Sequence, residues 1–238
     1  MQNNNSIILI GNHIKKQIHN EKIVGIDDYL SFSDHNKERI AALGQGLSTE
    51  QINSVIDMVV RKTDQSFQKA TRDLTHKSHE KNIMISDPLK FDETSYYCDL
   101  LIDDASSEMS DHLTGQHIQA MVLLEAARQM NIAVAEKYLI PSNLKGSVNF
   151  VLHQIKTCFY HYVYPLPALI EYHIDKFRLM PTGQFRSSVT IIFFQNEKKC
   201  LQVKLNYSVT DKIFLEDQEC EDIERLVNRF INVGINQD

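Results

Sequence analysis

The chain has 238 residues, 42% hydrophobic and 24% charged, with a formal net charge of -6, which describes an ordinary globular protein long enough to bury a sizeable core. The acidic balance argues against a nucleic-acid backbone as main partner. Four widely spaced cysteines (Cys98, Cys158, Cys200, Cys220) without a CxxC pair argue against a disulfide framework, and no apolar run approaches a membrane span, so the expectation is a reduced, cytoplasmic protein.

Residues 1–73 read as a mainly helical extension with a possible short strand at 7–10. Ile52, Val55, Ile56, Val59 and Val60 recur at helical spacing, and Ser48 with Gln51 fits a capping box ahead of them. That stripe either covers the main domain or meets a partner. Segments 82–85 and 96–103 are apolar and β-prone. Residues 120–138, AMVLLEAARQMNIAVAEKY, form the strongest helix, built of good helix formers. Its apolar residues, Met121, Leu123, Leu124, Ala127, Met130, Ile132 and Val134, go most of the way round, which predicts a buried helix ended by Pro141.

Strands follow at 148–152, 157–163, 168–177, 184–195 and 199–209, all rich in β-branched and aromatic residues. Pro165 and Pro167, Pro181-Thr182-Gly183 and Asn196-Glu197-Lys198 break them, the last two as hairpin turns. Ile223, Leu226, Val227, Phe230 and Ile231 then repeat a helical stripe, so 213–238 reads as a C-terminal helix. One buried helix followed by antiparallel strands is solved by a sheet curled around that helix. This is an α+β hotdog arrangement, here spanning 74–212. Its open edge strand predicts a homodimer paired edge to edge.

Glu125 and Arg128 stand three apart on one helical face among Leu123, Leu124, Ala126 and Ala127. Charges there are costly unless paired or functional. They read either as an internal ion pair that stitches the helix to a neighbour or as a working pair, and a buried carboxylate is expected to have a raised pKa. His117 precedes the helix, where free N–H groups and the dipole favour a developing oxyanion; alternatively it covers the helix end. His153 and His161 around Cys158 do not make a metal cage, and no metal is expected. No phosphate loop, dinucleotide fingerprint or nucleophile elbow is present.

Residues 110–130, SDHLTGQHIQAMVLLEAARQM, with Thr75-His76-Lys77 upstream and Asn149-Phe150-Val151 downstream, resemble the A-factor biosynthesis hotdog family. The resemblance covers about residues 75–210. It implies transfer of a β-ketoacyl or fatty acyl group from an acyl carrier protein or coenzyme A thioester to a small hydroxyl acceptor, in signal or secondary-metabolite biosynthesis, without a further cofactor. Glu125 would be the general acid or base, Arg128 would orient it or hold a carbonyl or phosphate, and His117 would assist. Asp111, His112, Met121 and Gln129, from the same motif pieces, would contact substrate. A dehydratase or thioesterase using His112 or His117 with Glu125, or a non-catalytic acyl-binding module, are the rival readings. The sequence departs from the family in having one repeat where well-known members have two, and Gln119-Ala120 in place of proline-glycine before the helix methionine.

Overall fold

The fold comes from a computed structural model that describes residues 6–32, 39–59, 66–110 and 115–235. Two sheets organise it. Strands β1 (Ser6–Ile10), β2 (Ile23–Gly25) and β3 (Arg39–Leu43) form a parallel sheet in the order β2-β1-β3, joined by the short helices α1 (Asn12–Lys15) and α2 (Ile26–Ser31). Helix α3 (Thr49–Val55) follows, and its Ser48–Gln51 capping box is formed as the sequence predicts. The helix is shorter than its stripe: Ile56–Met58 tightens to a 3-10 turn and Val59 bridges to Ile40. Val60 lies outside the described residues. Alongside the expected helices the N-terminal part thus holds a small parallel sheet, of which only β1 was legible.

The main sheet holds β4 (Leu89–Lys90), β5 (Ser95–Asp99), β6 (Val148–Phe159), β7 (Leu169–Leu179), β8 (Phe185–Gln195) and β9 (Lys198–Asp211). Its order is β4-β5-β7-β8-β9-β6, antiparallel throughout. Helices α4 (Arg72–Thr75) and α5 (Ser107–Ser110) precede the central α6 (Ala120–Val134). The chain then widens into a π turn over Ala135–Leu139 before Pro141. Register shifts in β6, β7 and β9 each insert a bulge, which bends the ladder around the helix. Val122, Ala126, Ala127, Met130, Ala133 and Val134 are fully covered by it, the alanines allowing close approach. The architecture is an α+β hotdog, ended by the long helix α7 (Lys212–Ile235).

Two details differ from the sequence reading. The segments 148–152 and 157–163 are one strand ending at Phe159, while 82–85 makes only a bridge at Ile85. As an edge strand, β6 tolerates the polar residues between them, which lowered its β signal. Among the described residues no helix is long and apolar enough to cross a membrane.

The sheets meet where β1 and β3 end. Gln45 donates to Leu100 O at 2.9 Å and accepts from Ile102 N at 2.8 Å. Asp104 enters the same junction: its Oδ2 accepts from His13 N at 2.7 Å. Its Oδ1 is buried and has no partner among the described residues.

Candidate active-site groove

Helix α6 and edge strand β6 frame an apolar groove of about 400 Å3, walled by Met121, Leu124, Ile132, Phe150, Leu152 and Ile155. Glu125 and Arg128 lie in the same wall. Arg128 donates twice to Glu125, Nε to Oε2 at 2.7 Å and Nη2 to Oε1 at 2.8 Å. Lys77 Nζ reaches Oε1 at 2.7 Å and Gln129 Nε2 at 3.0 Å. Such fork-like, charge-assisted contacts are the strong ones. Arg128 stays half-exposed at the groove while Glu125 and Lys77 are largely covered.

Lys77 arrives by a local backbone device. Helix α4 stops at His76, which takes a left-handed conformation (φ 52°) and turns the chain back toward α6. Few side chains other than glycine adopt this region. His76 is held in place by Glu136 Oε1 at 2.9 Å and by Phe150, whose ring lies 5.4 Å away edge to face.

The electrostatics reverse one expectation. Burial pushes the Glu125 carboxyl up, but hydrogen bonds from Arg128, Lys77 and Gln129 outweigh it and hold the group at about 2. The raised pKa foreseen from the apolar neighbours is therefore wrong, because three donors converge on the carboxylate.

Among the other sequence candidates, Met121 is exposed on the groove lip. Gln129 stands behind Glu125, fully buried, and ties α6 to the preceding segment through Asn82 O at 2.8 Å and Met84 N at 2.9 Å. His117 lines a separate cavity of about 860 Å3 at the N-terminal end of α6, its ring 4.4 Å from that of Tyr162. Among the described residues the two cavities share no lining residue, so the structure does not bring His117 and Glu125 together. Asp111 and His112 lie outside the described residues.

Sequence reasoning passed over three groove-side residues. Lys77 had a signal only as part of Thr75-His76-Lys77. Asn131 and Tyr207 line the groove and join through Tyr172, whose hydroxyl meets Asn131 Oδ1 at 3.3 Å and Tyr207 Oη at 3.2 Å. Burial pushes the Tyr207 hydroxyl up to about 12, so it remains protonated as a donor or acceptor. On the opposite face of the sheet a hollow of about 950 Å3 contains a cross-strand row, Ser95 Oγ to His173 Nδ1 at 3.2 Å and His173 Nε2 to Glu171 at 3.2 Å. The pleat directs it away from α6.

The family model described as "A-factor biosynthesis hotdog domain" matches residues 59–211. Among solved structures, a mutant thioesterase from Pseudomonas aeruginosa is similar at 12% identity over 69% of this chain and 95% of that chain, with a TM-score of 0.41. A thioesterase from Haemophilus influenzae is similar at 12% identity over 69% of this chain and 92% of its own, with a TM-score of 0.39. A conserved protein from P. aeruginosa is similar at 10% identity over 59% of this chain and 100% of its own, with a TM-score of 0.43. No curated protein matches the chain.

Proposed function

Since this chain belongs to the A-factor biosynthesis hotdog domain family, we propose that its groove accepts an acyl thioester and passes a fatty or β-ketoacyl group to a small hydroxyl compound, in signal or secondary-metabolite biosynthesis. The observation that carries the reading is the pairing of an apolar trough with a fixed carboxylate–guanidinium pair in its wall. The acyl chain lies along Leu124, Ile132 and Ile155, and the donor is an acyl carrier protein or coenzyme A thioester. Arg128 presents its fork to the thioester carbonyl or to an anionic group of the acceptor. Glu125 accepts the acceptor's hydroxyl proton as oxygen attacks the carbonyl carbon. The C–S bond then breaks, and the proton leaves with the thiol.

A carboxylate held at about 2 is a feeble base. The mechanism therefore requires bound ligand to engage Arg128 and dry the groove, both of which raise the carboxyl. Mass spectrometry of β-ketoacyl-coenzyme A incubated with small polyols is expected to detect ester. Glu125→Gln is expected to cut turnover about 100-fold or more, and undiminished turnover removes Glu125 from the chemistry. Free acid or water loss in place of ester would reassign the reaction to a thioesterase or dehydratase.

One observation favours a second reading, a non-catalytic acyl-binding module. The clamp on Glu125 suits a structural ion pair as well as a catalyst waiting for substrate. A co-purifying acyl compound with no turnover on any thioester would support it.

The reading includes a homodimer. β6 is an edge of the sheet, and Leu152, Ile155 and Phe159 on it are 46 to 53% exposed. Pairing of two β6 edges would close the groove with a second copy. Ile155→Lys is expected to yield monomers in sedimentation, and a wild-type monomer at tens of micromolar would rule the dimer out.

A further inference from the structure

Helix α7 leaves the domain carrying an uncovered apolar stripe. Every side chain described from Glu216 to Ile231 is exposed. Ile223, Leu226, Val227, Phe230 and Ile231 are 48 to 78% exposed and recur at helical spacing. Between 216 and 224 the helix carries six carboxylates and no base.

A complementary patch exists at the cavity beside the N-terminus of α6. Its rim residues Phe159, Tyr160 and Tyr162 are 53, 50 and 65% exposed. Its lining includes Lys198, His117 and His161 and, among the described residues, no carboxylate. Lys199 Nζ sits 4.7 Å over the Tyr160 ring.

In its own chain the helix covers nothing, since its described side chains from Glu216 to Ile231 are exposed, and only its root touches the sheet. The first residue of α7, Lys212, is pinned to Ser147 O at 2.9 Å, where Asp211 pairs with Val148. The cavity of the same chain begins at Phe159, the other end of β6, roughly 36 Å away along a strand of this length. Antiparallel pairing of two β6 edges reverses this. In the register centred on the middle of the strand, Phe159 of the partner subunit stands opposite Val148, two strand spacings or about 10 Å from the root of α7.

We infer that α7 of one copy lies across the aromatic cavity of the other. Its apolar stripe rests on Phe159, Tyr160 and Tyr162, and its acidic stretch lies beside Lys198 and Lys199. The inference rests on the edge-paired dimer proposed above. It makes α7 a cover for the opening that contains His117, so access to that end of α6 depends on the partner's helix.

Zero-length carbodiimide coupling in a mixed dimer tests it. One copy keeps its lysines but carries Glu219→Gln, Glu221→Gln and Glu224→Gln; the other keeps its carboxylates but carries Lys198→Arg and Lys199→Arg. Two different tags isolate the mixed dimer from co-expressing cells. Links from Lys198 or Lys199 to Glu219, Glu221 or Glu224 can then form only between copies, and they are the expected result. Phe230→Glu in the copy with intact carboxylates, at a side chain that touches no core, is expected to reduce them about tenfold with the dimer intact. A mixed dimer without such links, or with links only between the two α7 helices, overturns the inference and leaves the edge-paired dimer standing. Failure to recover any mixed dimer overturns both.

Discussion

Two carboxylates in this molecule receive opposite treatment. Glu125 is largely covered, yet Arg128, Lys77 and Gln129 keep it ionised at about 2. Asp104, in the junction between the sheets, is pushed by burial up to about 6, the backbone N–H groups of His13 and Ile14 pulling it down too weakly to offset this, and its second oxygen is unpartnered among the described residues. Both are removed from water. The difference teaches that the number of converging donors, rather than depth, sets which form the fold retains.

The most damaging break of this comparison lies at the junction. A Cβ at Gly11 would stand 2.1 Å from Gly46 O and 2.2 Å from Asp104 Oδ2. Gly11→Ala is therefore expected to cost about 3 kcal/mol or more, read as a fall in the urea midpoint; a cost below about 1 kcal/mol would mean the junction yields. Next comes Glu125→Leu, which strips the shared carboxylate from Lys77 and Arg128. With Arg128 half-exposed, the expected loss is about 2 kcal/mol rather than the larger penalty of a fully buried pair; an unchanged unfolding curve would show that the clamp holds nothing together.

The smallest effect concerns acidity. Asp104 and Asp99 are each pushed by burial to about 6, against roughly 3.9 in an unfolded chain. The folded protein thus binds these protons more tightly, and stability is expected to rise as pH falls from 7 to 5, on the order of 1 kcal/mol after allowance for solvent contact. Glu125 has the opposite sign: its contribution is present above about 4.3 and is lost as pH falls toward 2. Asp104→Asn should roughly halve the upper limb, the remainder staying with Asp99, and Glu125→Gln should flatten the acid limb alone. Thermal unfolding across this range checks both, and a profile unaltered in either variant contradicts the assignment.

Much of the fold was legible because its signals are long. Helix α6 announces itself through uninterrupted helix formers, and β7, β8 and β9 through β-branched runs closed by Gly183 and by Asn196-Glu197 at positive φ. The parallel sheet was not, since β2 has three residues and β3 reads RIAAL, which suits a helix equally well. In the groove, the spacing of Glu125 and Arg128 was visible because both belong to one helix. Lys77 is delivered through a left-handed histidine far upstream, a contact no local periodicity encodes. The pKa error has the same origin: apolar neighbours can be read from the sequence, but donors converging from another segment cannot.

The plugged strand ends bear on what the smallest independent version of this protein is. Gln45 completes the hydrogen bonding of Leu100 and Ile102, and Gly44 lies against Pro165. The family match over residues 59–211 therefore excludes groups that the matched region itself needs. A fragment trimmed to those limits would expose backbone at Leu100 and Ile102 and release Asp104 from His13, so the recognisable module and the self-sufficient one have different boundaries.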